Sequence, residues 1–192
     1  MDIILASKSP RRRELLSRIT EDFSVIVSEC DETFDSSLPV EKQVENVSYN
    51  KAKSVFDKTS GNRIIIGSDT IVVKNGKIYG KPKNRDDAVK MISEFKNDKH
   101  QVITGLAIII AEDDIVQKIK TYVKTDVYVS DMSQDEIERW VDSGKALDKA
   151  GAYGIQDEFS LFIERIDGDY NSVVGLPVSK VYYYIKDYLE KK

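Results

Sequence analysis

Ile3-Ile4-Leu5-Ala6-Ser7-Lys8-Ser9-Pro10-Arg11-Arg12-Arg13-Glu14-Leu15-Leu16 reads as a buried strand, a tight turn and the start of a helix. Ser9 suits the N-cap, and Pro10 suits the first helical position, where a missing N–H costs nothing. The charge is out of place. A first helical turn favours Asp and Glu, because the dipole is positive there. This one carries Arg11, Arg12 and Arg13, with Lys8 just before them. Free backbone N–H groups and several guanidinium groups together make a place for an anion, and a phosphate chain fits. The plainer reading is a basic helix start that points into water.

Outward from this stretch, composition narrows the choices. The 192 residues suit one domain, 1–192, possessing a substantial core and room for two lobes. The formal charge of −4 argues against a broad footprint for long nucleic acid. A local basic site in an acidic chain suits a small polyanion. No apolar run approaches the roughly 20 residues of a membrane span, and the N-terminus lacks a signal-peptide pattern. One cysteine, Cys30, excludes an internal disulfide, so a cytoplasmic protein is expected. One histidine, His100, excludes a His-cluster metal site.

Along the chain, Phe23 to Ser28 reads as a strand that runs into the acidic turn Glu29-Cys30-Asp31-Glu32-Thr33. Such a turn is solvated, paired or on a metal; Cys30 reads as a packed thiol without a catalytic role. Val40 to Phe56 has helical spacing, with Val44, Val47, Ala52 and Val55 toward the core. Lys51 and Lys53 lie two apart and point away from each other, so one could face the core-side cleft and the other the solvent; two solvated lysines is the plainer reading. Ile64 to Val73 is β-branched enough for a strand buried on both faces, interrupted by Gly67-Ser68-Asp69-Thr70. An Asp there makes sense where the sheet opens to a cleft, since a carboxylate can take part in holding Mg²⁺. Asp69 is therefore the foremost catalytic candidate; the plainer reading is a turn Asp that bonds its own backbone.

Asn75-Gly76 marks a two-residue hairpin whose return arm leads to Gly80-Lys81-Pro82; Asp69 and Lys81 at the two arm ends would share one mouth. A helix over Asp86 to Phe95 and strands over Gln101 to Ile110 and Ile115 to Val129 follow, with His100 at the surface. Ser133-Gln134-Asp135-Glu136 is a capping box for a helix reaching Ser143, with Trp140 in the core. Gly and Ala crowd Asp148-Lys149-Ala150-Gly151-Ala152-Tyr153-Gly154-Ile155-Gln156, which lets backbone approach a ligand. Phe159 to Ile166 reads as a strand. Gly175-Leu176-Pro177 introduces a last helix to Leu189, after which Glu190-Lys191-Lys192 should fray.

Taken in order, Leu5-Ala6-Ser7-x-Ser9-Pro10-Arg11-Arg12, Glu32, Lys51-Ala52, Gly67-x-Asp69-Thr70, Gly80-Lys81-Pro82, the 148–156 stretch and Gly175-Leu176-Pro177 resemble the Maf family of nucleotide pyrophosphatases, named for septum-formation inhibition. The resemblance covers nearly the whole chain. It implies an α/β fold with a mixed sheet, of the kind shared with inosine triphosphate pyrophosphatases: elongated, bent, with two lobes around a cleft. It places a catalytic set on Ser7, Arg12, Glu32, Lys51, Asp69 and Lys81, with Asp69 as proton acceptor. Substrate choice falls on Arg11, Thr70 and Gln156, in the combination of the branch acting on dTTP and UTP. The implied reaction cuts a nucleoside triphosphate between the α and β phosphorus. From the residues themselves, a cationic phosphate cradle beside separated acidic residues suggests that Glu32 and Asp69 share a divalent cation, Mg²⁺ or Mn²⁺. A homodimer is the implied assembly.

Overall fold

The computed structural model of the chain describes residues 1–189, and the expected fraying of 190–192 lies outside them. The class is mixed α/β, as expected. Seven strands form one mixed sheet in the order β2-β1-β3-β5-β6-β7, with β4 on β3. They are β1 (Asp2–Leu5), β2 (Ser24–Val25), β3 (Arg63–Lys74), β4 (Lys77–Tyr79), β5 (Asp98–Glu112), β6 (Ile115–Val129) and β7 (Ile163–Asp167). The helices are α1 (Pro10–Ser17), α2 (Val40–Phe56), α3 (Arg85–Phe95), α4 (Gln134–Asp142), α5 (Tyr170–Val174) and α6 (Val178–Leu189). The chain divides into two compact units. Unit 1 holds residues 1–69, 104–123 and 175 onward; unit 2 holds 70–103 and 124–174.

In unit 1, β1 pairs parallel with β2 on one side and with the start of β3 on the other, Ile3 opposite Ile64 and Leu5 opposite Ile66. The expected strand over 23–28 shrinks to two ladder residues, because its apolar side chains Val25 and Val27 stay exposed and leave little to pack. Helix α2 has the expected ends. Its core positions Val44, Val47, Ala52 and Val55 are all buried. Two glycines set how tightly it packs. A Cβ at Gly67 would strike the Ser48 carbonyl oxygen, and at 2.8 Å the Ala52 amide nitrogen. A Cβ at Gly105 would strike the Val44 carbonyl oxygen, and at 2.5 Å the Ser48 hydroxyl. The backbone of α2 therefore presses onto β3 and β5 at these two points. Gly67 to Thr70 does not interrupt the strand: β3 runs unbroken through it, since Gly67 lies against the helix and Ser68 donates to the Gly105 and Gly175 carbonyls at 2.8 and 3.1 Å.

In unit 2, Asn75 and Gly76 take φ of 51° and 76° and join β3 to β4 as the hairpin expected. Asp69 is not at an arm end; it lies inside β3, and the hairpin ladder closes at Val72 and Tyr79. Helix α4 opens on the capping box at Ser133 and Glu136. Trp140 is buried, and its Nε1–H donates to the Ala152 carbonyl at 2.9 Å. The residues expected to form a strand from Phe159 begin as a 3-10 turn over Glu158–Phe162, and only then pair as β7 with β6. Burial of Phe159 against Trp140 and Tyr153 holds the turn inward. His100 corrects the surface expectation. It is 1% exposed, stacked on Phe95 at 4.4 Å, with Nε2 2.6 Å from the Tyr153 hydroxyl.

Candidate active site

The site in unit 1 is built from three elements that α2 and the sheet bring together. The turn after β1 leads into α1, where Ser9 caps the helix by accepting from the Arg12 amide at 3.5 Å and Pro10 takes the first position. The Ser7 hydroxyl accepts from the Ser9 amide at 3.2 Å and from an Arg12 terminal nitrogen at 3.4 Å. Arg12 does not point into bulk water. Its Nε–H donates to the Gly175 carbonyl at 2.9 Å. Burial pulls its pKa down, Asp69 opposes that, Arg11 adds to it and Glu32 opposes it. The guanidinium is thus fixed on one edge, within the field of two carboxylates.

Those carboxylates converge on Lys51. Its ammonium lies 2.6 Å from Asp69 Oδ1 and 3.2 Å from Glu32 Oε1. The solvated reading of Lys51 is corrected: it is 5% exposed, whereas Lys53 stays outside in a pair with Asp57 at 2.5 Å. The reason is the glycine contact. With α2 seated on Gly67, a side chain one turn of helix past Ser48 meets the carboxylate two residues past Gly67. A buried ammonium needs such partners, because an unpaired charge in a dry site costs several kcal/mol. The acidic turn divides: Glu29 makes an exposed pair with Lys58, while Glu32 reaches Lys51. Cys30 is partly buried. Burial raises its thiol pKa, Lys51 acts against that, and a protonated thiol there fits a packed residue without a nucleophilic role.

The donor chemistry suits a hard cation. Glu32 and Asp69 aim oxygens at one point, now the Lys51 ammonium. Among the described residues no group of three His, Cys, Asp or Glu could hold a metal unaided. Two carboxylates with the remainder left to phosphate and water is how Mg²⁺ is commonly held. The contact of Lys51 uses Oδ1 of Asp69, and Oδ2 accepts from no other described residue, so it can face a water.

Unit 2 carries the other three residues singled out by the sequence. Thr70 is half-buried in β3. Lys81 is exposed, two residues past the end of β4. Gln156 is exposed at the end of the Gly- and Ala-rich loop, and its amide has no partner among the described residues. That loop touches the one bearing Lys81, as the Gly151 amide donates to the Gly80 carbonyl at 3.0 Å. Gly151 has φ 69°, and a Cβ there would sit 2.9 Å from Val72, which explains the glycine. Two features escaped the sequence reading. The Gly175 carbonyl is the acceptor that aims Arg12, and no periodicity points to a carbonyl. Lys149 is 8% exposed and braces the loop from within; its only signal was a lysine among small residues.

The α/β sheet and its helices thus carry a guanidinium fixed on a backbone carbonyl and an ammonium shared by two carboxylates. The chain belongs to the Maf-like protein family, whose model matches residues 2–188. It is similar to the dTTP/UTP pyrophosphatase of Alkaliphilus metalliredigens, 45% identical over 93% of this chain and 92% of that one. It is also similar to the dTTP/UTP pyrophosphatase of Thermoanaerobacter sp. strain X514, 44% identical over 97% and 96%. Among solved structures, the Staphylococcus aureus Ham1 protein aligns with 98% of this chain and 100% of its own, at 14% identity and a TM-score of 0.48. Among the described residues no helix is long and apolar enough to cross a membrane.

Proposed function

We propose that the chain is a nucleoside triphosphate pyrophosphatase acting on dTTP and UTP, releasing the nucleoside monophosphate and pyrophosphate. The observation that carries the reading is the Lys51 ammonium held by Asp69 and Glu32, two carboxylates that also act on Arg12. Family membership and dTTP/UTP pyrophosphatase relatives above 40% identity support it.

In this reading the triphosphate lies along the start of α1, where the Ser7 hydroxyl and the Arg12 guanidinium orient its oxygens. Asp69 Oδ2 orients a water toward the α-phosphorus and takes its proton. The water oxygen bonds to phosphorus, and the bond to the bridging oxygen of the β-phosphate breaks. Arg12, Lys51 and Lys81 offset the charge that gathers on the departing pyrophosphate. Mg²⁺ or Mn²⁺, held by Glu32 and Asp69, supplies Lewis-acid charge at phosphate oxygens when bound. Arg11, Thr70 and Gln156 read the base; the Gln156 amide both donates and accepts, which matches the imide edge of thymine and uracil. The chain, 1–192, acts as a single catalytic domain in a cytoplasmic homodimer that clears nucleotides and acts on septum formation.

The test is a panel of triphosphates, run with metal and with EDTA, with products resolved. Pyrophosphate should appear, dTTP and UTP should lead GTP and its 7-methyl form, and EDTA should stop the reaction. Orthophosphate as the sole product would reject the bond assignment.

A further inference from the structure

Within unit 2, the loop that ends at Gln156 is wrapped around one side chain. The stem of Lys149 runs under Gly154: a Cβ on Gly154 would lie 2.8 Å from Lys149 Cε and 3.0 Å from Cδ. The ammonium then donates to the Lys145 carbonyl at 2.6 Å and to Asp148 Oδ1 at 2.8 Å. It also lies 3.2 Å from Asp157 Oδ2. That oxygen is fully buried and accepts no hydrogen bond, so the ion-pair contact with Lys149 is its one compensation among the described residues. A buried carboxylate oxygen in this position is costly without its cation.

Gln156 sits between two anchored neighbours. Ile155 is 6% exposed in the core of unit 2, and Asp157 is latched to Lys149. The Asp157 amide also returns to the Gly154 carbonyl at 3.1 Å. The backbone at Gln156 therefore has little freedom, while its side chain is exposed and unpartnered among the described residues. A residue that must discriminate by hydrogen bonding needs such support, since a contact loosened by an ångström loses most of its value.

We propose that Lys149 is a positioning residue for base selection: it holds Gln156 in the pose that reads the imide edge of a pyrimidine. This rests on the dTTP/UTP reading above. Lys149 touches neither phosphate nor base in this proposal; it acts through Asp157 and Gln156.

The experiment measures kcat and KM for dTTP and dCTP, with full-length wild type, Lys149→Met, Gln156→Ala, the double variant and Asp157→Asn. Thymine presents an imide N–H and cytosine does not. Lys149→Met should lower the dTTP-to-dCTP ratio of kcat/KM by about tenfold, mainly through KM for dTTP. Asp157→Asn should lower the same ratio, and it decides the matter if Lys149→Met fails to fold. In the Gln156→Ala background, Lys149→Met should lower the ratio no further. A fall in kcat with the ratio unchanged, or losses that multiply in the double variant, would overturn the proposal. If wild type turns over dTTP but Gln156→Ala keeps its selectivity, the inference fails and the reaction stands. If wild type turns over neither dTTP nor UTP, the proposed function itself is rejected.

Discussion

Lys51 in unit 1 and His100 in unit 2 are both buried ionisable side chains, and these two are stabilised by opposite means. In unit 1, Lys51 is 5% exposed and makes ion-pair contacts with two carboxylates. In unit 2, His100 is 1% exposed and surrounded by Phe95 and Tyr153. Its Nε2 has the Tyr153 hydroxyl, but Nδ1 has no partner among the described residues. An imidazolium would need acceptors for both N–H groups, and only one is present. Burial accordingly pushes its pKa down to about 3, with Lys74 adding to the effect and Asp126 and Asp98 opposing it. The difference teaches where chemistry can be sought. A charge kept inside at the cost of desolvation needs a compensating use; a neutral ring in an aromatic stack needs none beyond packing.

The sharpest way to break this contrast is to neutralise the carboxylate 2.6 Å from the Lys51 ammonium. Asp69→Asn keeps shape and an acceptor for Lys51 but cannot take a proton. Turnover of dTTP should fall by about 10²–10⁴-fold, with the folded state retained by circular dichroism. Full activity would remove Asp69 from the chemistry. The next effect belongs to stability. Lys51→Met strips Asp69 of the ammonium at 2.6 Å, leaving a carboxylate 13% exposed beside Arg12. A loss of about 3 kcal/mol is expected in urea unfolding, at the low end for a broken buried pair because Arg12 still attracts Asp69. A loss under 1 kcal/mol would make Lys51 a surface lysine in energetic terms.

The pH dependence of stability separates the units more gently. With its native pKa depressed, His100 binds fewer protons folded than unfolded. Stability is then whole above about pH 6.5, the unfolded value, and falls as pH drops toward 3, by about 1.4 kcal/mol per pH unit. His100→Phe should flatten that part of the curve; denaturant midpoints from pH 7 to 4.5 for both proteins measure it. Equal slopes in the two would show that His100 takes its proton in the folded state.

Much of this was legible in the chain because its causes are local. Ser9-Pro10, Ser133 with Glu136, Asn75-Gly76 and the ends of α2 each follow from capping, turn or periodicity rules that act within a few residues. The failures share a cause as well. His100 and Lys51 are both polar, so composition alone puts them outside; what buries them is Phe95 and Tyr153 in one case and the Gly67 and Gly105 contacts of α2 in the other. Those are tertiary facts. A glycine in a strand signals close approach but not which helix approaches. Family motifs mark the site residues, while the ion pairs that join Lys51 to Glu32 and Asp69 arise only from tertiary packing.

The smallest expected effect comes from the neutral side of the comparison. Tyr153→Phe deletes the hydroxyl 2.6 Å from His100 Nε2 and leaves both rings in place, so packing is nearly conserved. The Tyr153 hydroxyl is itself held protonated by burial, so the lost contact is a bond between neutral groups. A neutral hydrogen bond contributes about 1 kcal/mol net, and the stranded ring nitrogen adds a penalty of similar size. A total loss of about 1–2 kcal/mol is therefore expected from urea unfolding at pH 8, below that of Lys51→Met. The order of the two variants is the informative quantity. If Tyr153→Phe costs more than Lys51→Met, the His100 contact is the stronger one, and charge burial in unit 1 is cheap enough to need no functional explanation.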